Sequence, residues 1–252
     1  MIIIRFINFE LFKKIKKLLK LARYPSLVHF LFKGIVPTFE HEKVLLSIGK
    51  LGSLVDCGCN KGQFALISFK KNYFFQYLAF DPIRYPLPVI NYLENKNVEV
   101  FFRDIALSNN KGLENFFITK RDDSSSLKKP KKISFNYFAN VYTVKTKKVR
   151  VDKLNSFFDL IYDLKEPRLL KIDVQGNEFE LLKGSESILK MFKFIIIECT
   201  YFDLYENIKF KVEDIDKLIL KNNFLLFKEY NKLFKRKKLI SSDRLYINKS
   251  NQ

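Results

Sequence analysis

The 252-residue chain contains no tryptophan, two histidines, three cysteines, eight glycines and seven prolines. Each scarcity excludes something. So little glycine and proline, with 47% hydrophobic and 15% aromatic residues, excludes collagen-like, low-complexity and disordered chains. Cys57, Cys59 and Cys199 are an odd number and too few for a disulfide framework, which fits a reducing compartment. Their spacing lacks a fourth zinc ligand, so small packed thiols are expected and no metal site. No uncharged apolar run is long enough to span a bilayer, because lysines interrupt every candidate. At the N-terminus the apolar run precedes the charges and no small-residue cleavage site follows, unlike a secretory signal, and a cytoplasmic protein is expected. His29 and His41 lie outside every motif described below and reach the chemistry only if the N-terminal region folds over it.

What is abundant is positive charge, a net +19 from 46 Lys plus Arg against 27 Asp plus Glu. Such a balance first suggests nucleic acid or an anionic membrane. Lysine, however, far outnumbers arginine, amid abundant Ile, Asn and Phe. Readers of bases and phosphates lean on the planar arginine fork, so the composition argues against a nucleic-acid partner. Residues 8–22 place Leu11, Phe12, Ile15, Leu18, Leu19 and Ala22 on one helical stripe with lysines between, a basic amphipathic helix. It suits packing on the main body with a solvated lysine face, or peripheral contact with anionic lipid headgroups.

From Leu51 onward short apolar runs alternate with helical patterns: LVD, a helix near Gln63 to Lys71, YLAF, a helix near Leu87 to Asn95, VEVFF, LLKID, a helix over Glu178 to Lys190, and FIIIE. This alternation predicts a doubly wound α/β fold, mostly parallel strands with helices on both faces. Residues 111–155 turn polar and loop-like and read as an insertion, its serines 124 to 126 forming a loop or a substrate contact. Lys128 to Lys132 and Lys145 to Arg150 make that insertion basic. A helix over Lys211 to Leu220 and an antiparallel pair, FLLFKEY with RLYINK, close the chain.

Three strand tips carry polar groups suited to one ligand. SLVDCGCNKGQF ends a strand at Asp56 and turns through Gly58, Asn60 and Gly62 into a helix at Gln63, the kind of site where backbone approaches a ligand closely. The frame D-x-G-x-x-x-G is neither the G-x-G-x-x-G of dinucleotide binders nor a phosphate-binding P-loop. It suits S-adenosylmethionine (SAM), with the methionine part at the turn. Asp81 ends the second strand, where a carboxylate can accept both ribose hydroxyls. After the third strand Asp104, Ile105 and Ala106 can flank adenine, Asp104 accepting from its amine. In RLLKIDVQGNEFELLKG, Lys171 and Asp173 share one strand face, and the buried lysine needs Asp173, Asp56 or Glu198 as partner. Glu178 begins the next helix, where the dipole favours an acid.

The strings VDCGCNKGQF, FDP, ALSN, VRVDKL, LLKIDVQGNEFELLKG and IIIECTYFDLYEN, in this order, resemble the FkbM family of SAM-dependent methyltransferases over roughly residues 34–248. The resemblance implies a Rossmann-like class I methyltransferase fold with SAM as cofactor and transfer to an oxygen, often of a sugar. By motif it assigns Asp56, Gly58, Asn60, Gly62 and Gln63 to the cofactor turn, Asp81 to the ribose, and Asp173 and Glu178 to the acids of the signature. Gln175 departs from it, since many members carry Glu there. Residues 1–48 are then expected as a basic helical extension and 49–252 as the methyltransferase domain, with a seven-stranded sheet and an antiparallel C-terminal hairpin. The expected function is O-methylation of a sugar, glycolipid or related metabolite; an RNA methyltransferase, from the charge, and a SAM-binding protein without turnover, from Gln175, are the alternatives. For proton handling the expectation falls on carboxylates, Asp173 orienting or deprotonating the acceptor with Glu198 beside it and Lys171 tuning both.

Overall fold

The structure is a computed structural model that describes residues 19–83, 85–235 and 237–251. The amphipathic stretch before Leu19 lies outside the described residues. Among the described residues ten strands form two sheets. The large one has the order β3-β2-β1-β7-β8-β10-β9, where β1 is Ser53–Cys57, β2 Gln76–Phe80, β3 Glu99–Arg103, β7 Arg168–Ile172, β8 Phe194–Thr200, β9 Phe224–Lys235 and β10 Lys238–Asn248. Strands β3 to β8 in that order run parallel, β10 is antiparallel to β8, and β9 is antiparallel to β10. The seven strands and the C-terminal hairpin are as expected from the sequence.

Strands such as SLVDC, RLLKI and FIIIE are largely buried on both faces, which is why apolar pairs and runs dominate them, with the charges of Asp56, Arg168 and Lys171 paired or hydrogen-bonded inside. Their period-two alternation divides the core. Leu54, Leu169, Ile196 and Leu245 face one cluster; Val55, Leu170, Ile172, Ile195 and Ile197 face the other. On the first face pack α2 (Gln63–Asn72) and α3 (Leu87–Glu94), behind α1 (Glu42–Leu46). On the second pack α4 (Phe158–Tyr162), α5 (Glu178–Lys183) and α6 (Val212–Lys221). The stretch from Leu21 to Ile48 is no loose appendage: Leu27, Phe30, Phe39, Val44 and Leu45 are fully buried in the first cluster.

Two expectations change. The polar stretch 111–155 is largely a second sheet, in which β5 (Gly112–Thr119) and β6 (Thr143–Asp152) pair antiparallel and β4 (Ala106–Leu107) lies parallel to β6. Only one face of it is covered, by Phe116, Val149, Val151 and Ala106, so its strands read as polar. The helix expected over Glu178 to Lys190 stops at Lys183 and resumes as a 3₁₀ turn over Glu186–Met191. At the break Gly184 lies so close to the strand opposite that a Cβ would stand 2.1 Å from the Ser108 carbonyl oxygen. Among the described residues no helix is long and apolar enough to cross a membrane.

Candidate active site

The carboxyl ends of β1, β2, β3, β7 and β8 open into a cavity of about 1140 Å³, lined also by residues of the insertion, the C-terminal hairpin and the segment before β1. At the tip of β1, Gly58, Asn60 and Gly62 have φ of 83°, 48° and 79°. A side chain at Gly58 is excluded twice, by this backbone and by the Asp173 carbonyl oxygen 2.0 Å from where a Cβ would stand. The N–H groups of Gly58 and Cys59 donate to the Phe80 carbonyl at 3.0 and 3.1 Å. Asn60 N–H donates to Asp81 Oδ2 at 3.1 Å, and its own buried Oδ1 has no hydrogen-bond partner among the described residues. Gln63 opens α2 and its Oε1 accepts from Lys61 N–H at 3.1 Å. Asp81 Oδ1 accepts from Ile83 N–H at 2.9 Å, so two backbone amides fix this carboxylate at the cavity wall.

The strand tips differ from expectation at two acids. Ile105 and Ala106 line the cavity, but Asp104 does not: its side chain is 69% exposed and pairs with Arg150 of β6. Successive residues after a strand point to opposite sides, and Ile105 has taken the inward one. Asp56 is fully buried beneath the turn and is not part of the cavity wall. It accepts from Tyr77 Oη at 3.2 Å and lies 3.5 Å from Lys171 Nζ, one layer below any ligand.

Lys171 is the buried cation of the floor. Its Nζ stands 3.2 Å from Asp173 Oδ2 as well as 3.5 Å from Asp56 Oδ1, and donates to the Gly58 carbonyl at 3.4 Å. Burial disfavours its charge, but Asp173 and Asp56 outweigh that and hold the ammonium above its ordinary pKa. Of the partners foreseen for it, Asp173 and Asp56 make the ion pairs. Glu198 instead meets Lys171's neighbours. Gln175 Nε2 donates to Asp173 Oδ1 at 2.7 Å and to Glu198 Oε2 at 2.8 Å, and Gln175 Oε1 accepts from Tyr205 Oη at 2.7 Å. The two carboxyls thus stand side by side on one amide donor. Burial raises both, yet Lys171 and the Gln175 bond hold Asp173 below its usual value, while burial and the charges of Asp173 and Asp243 push Glu198 well above its own.

Glu178 is buried and supports the site from behind. Its Oε1 accepts from the amides of Val174 and Gly176 at 3.2 and 3.0 Å, its Oε2 from Gly176 at 3.0 Å, and it does not line the cavity. Burial raises its pKa to about 7 against the pull of those amides. Its role is to hold the 174–176 turn, and the expectation of direct chemistry is corrected accordingly.

Several groups escaped the sequence reading. The N-terminal region does fold over the cavity, and His41 lines it with Nε2 3.2 Å from Asp243 Oδ2. Asn231 Nδ2 donates to the same oxygen at 2.5 Å. Burial would lower the His41 pKa, but Asp243 raises it. Tyr205 and Arg121 complete the wall. Apart from the scarcity of histidine, no signal in the chain pointed to these residues. The three cysteines are buried, with thiols pushed well above their ordinary pKa by that burial.

A family model, the methyltransferase FkbM domain, matches residues 56–226, which spans every strand tip just described. The chain belongs to the FkbM methyltransferase family. As an FkbM methyltransferase it uses SAM. No curated protein matches it. Among solved structures it is similar to magnesium protoporphyrin IX methyltransferase from Synechocystis PCC 6803, at 10% identity over 83% of this chain and 80% of that one, TM-score 0.44. It is similar also to ribosomal protein L11 methylase from Lactobacillus delbrueckii subsp. bulgaricus, at 11% identity over 82% and 76%, TM-score 0.41. A third is the m1A22 tRNA methyltransferase of B. subtilis, at 9% identity over 82% and 65%, TM-score 0.42. The donor set of this FkbM site fits the cofactor: a turn too tight for side chains, an unpartnered Asn60 oxygen, a fixed carboxylate at Asp81, and an apolar tip at Ile105 and Ala106.

Proposed function

We propose that this FkbM protein transfers the methyl group of SAM to a hydroxyl oxygen of a sugar, glycolipid or related metabolite. The observation that carries the reading is that the β1–β3 tips and the polar cluster Asp173, Gln175 and Glu198 line one cavity, so cofactor and acceptor can meet in it. Gly58, Asn60, Gly62 and Gln63 hold the methionine part, Asp81 takes the ribose hydroxyls, and Ile105 and Ala106 flank the adenine. When bound, SAM supplies an electrophilic methyl on a sulfonium. The protein's task is to hold the acceptor oxygen in line with that methyl and relieve it of its proton. Asp173, held ionised by Lys171, orients the acceptor hydroxyl, with Glu198 beside it. Asp243 and Asn231 on the hairpin add further hydrogen-bonding groups suited to a polyhydroxylated molecule.

Calorimetric titration with SAM, S-adenosylhomocysteine (SAH) and NAD tests the cofactor half: the two adenosyl ligands bind, NAD does not, and Asp81→Ala weakens binding at least about tenfold, as loss of charge-assisted hydrogen bonds implies. Absence of adenosyl binding would sink the proposal. For the acceptor half, label from methyl-tritiated SAM is expected in glycan or glycolipid extracts, and Asp173→Asn should abolish incorporation while SAM still binds. A second reading, an RNA acceptor, is supported by Lys145, Lys147 and Lys148, all exposed on β6. Label in RNA rather than glycans, with affinity falling steeply in salt, would favour it. Basic residues 1–24 support a cytoplasmic protein that touches anionic membrane; their deletion should then release it from anionic vesicles.

A further inference from the structure

The cavity floor carries more buried negative charge than the protein balances. Asp173 and Glu198 share the single amide Nε2 of Gln175, at 2.7 and 2.8 Å, which brings the two carboxyls side by side. Two buried carboxyls this close do not both ionise readily without an added cation. Lys171 does not supply it, because its ammonium is already shared between Asp173 and the fully buried Asp56. Around the pair stand Glu178 from α5, Asp243 from β10, Tyr205 from the loop after β8, and Arg121 from the insertion. Arg121 is held at 2.6 and 3.0 Å by Asp123. The surroundings therefore favour a retained proton.

The same floor adjoins the cofactor turn. Gly58 lies against the Asp173 carbonyl, and its own carbonyl accepts from Lys171. SAM and its product SAH differ there in one respect, since the sulfonium is cationic and the thioether is neutral. We propose that Glu198, beside the ionised Asp173, holds one proton in the free protein and releases it to solvent when the sulfonium occupies the cavity, so that the site tells SAM from SAH by charge. The inference rests on the SAM site proposed above and adds a role for its acids. Its consequence for turnover balances. As the acceptor oxygen bonds the methyl carbon, the carbon–sulfur electron pair stays on sulfur and the cation disappears. The emptied pair then regains its affinity for a proton and takes the one the acceptor hydroxyl gives up, which resets the site.

The test is titration calorimetry of the full chain with SAM and with SAH, around neutral pH, in buffers of different ionisation enthalpy. The amino-acid moiety common to both ligands contributes equally and cancels in the comparison. SAM is expected to release up to about one proton more than SAH, and its affinity to rise by as much as about tenfold per pH unit while the pair is protonated, with that of SAH nearly flat. Glu198→Gln should erase the excess release while still binding SAH, which also reports that the variant is folded; Asp173→Asn provides the same check from the partner. Equal release by the two ligands of the wild-type protein, or an excess that persists in Glu198→Gln, would overturn the proposal. Failure of both ligands to bind would instead remove the SAM site itself, and the inference with it.

Discussion

Gly58 and Glu178 show how single residues set the geometry of the site. Gly58 occupies a left-handed backbone, and the Asp173 carbonyl fills the space of a side chain. Gly58→Ala is expected to lose about 1–2 kcal/mol from the backbone alone, with more from the displaced β7 tip. Its melting temperature should fall and its SAM affinity should drop at least about tenfold, both accessible to a thermal-shift titration. Glu178 is buried with a pKa of about 7 against an ordinary 4.5. The folded protein therefore binds this proton more tightly than the unfolded chain, so the contribution is fully present below pH 4.5 and is lost as pH rises through 7. The shift corresponds to roughly 3 kcal/mol. Urea unfolding from pH 4.5 to 8 should show wild-type stability declining more steeply than that of Glu178→Gln, which keeps one acceptor for the Gly176 amide; parallel curves would exclude Glu178 as the source.

Among the elements, the break between α5 and the following 3₁₀ turn has a definite cause. The chain crosses the β4 end at Gly184, where a Cβ would stand 2.1 Å from the Ser108 carbonyl oxygen. Gly184→Ala raises helix propensity but inserts a methyl where backbone already lies, so we expect a loss of about 1–3 kcal/mol, the usual penalty of overpacking, in place of the gain propensity alone predicts. A denaturation midpoint at or above wild type would refute this account. The C-terminal hairpin is tied to α6 in a similarly specific way. Arg244 of β10 bonds Glu229 of β9 and Asp216 of α6, while Tyr201 Oη also donates to Glu229 at 2.8 Å. Asp243, next to it and on the opposite face, is thereby aimed at His41.

For the molecule as a whole, the stretch from Leu21 to Ile48 behaves as part of the core. Phe30 is fully buried, 5.4 Å edge-on from Tyr92. Phe30→Ala should cost about 3–5 kcal/mol, like any large-to-small change in a core. A dispensable extension would instead tolerate it, and a chemical denaturation curve separates the two. The cavity exists because this stretch, the insertion and the hairpin all close over the strand tips, as His41, Ser124 and Asn231 in its wall show.

The parallel strands were legible in the sequence because Leu54–Val55, Leu169–Leu170 and Phe194–Ile197 are buried on both faces and so form short apolar runs. The cofactor turn was legible for a related reason: a chain that must pass this close to backbone and ligand admits few residues besides glycine and asparagine. Asp173 and Glu198 could be found as strand-end acids, and Lys171 as a charge in need of a partner. Which way each acid points was decided only by packing. Asp56 faces down to Tyr77 and Asp104 outward to Arg150, because the pleat fixes alternation along a strand but not which phase meets the cavity. His41, Tyr205, Asn231 and Asp243 come together from segments far apart in the chain, and only the burial of their flanking apolar residues in common clusters brings them to one wall. The sequence by itself determined the sheet, the turn and the family; the tertiary structure decided the composition of the site, because long-range packing, unlike local periodicity, leaves no mark in neighbouring residues.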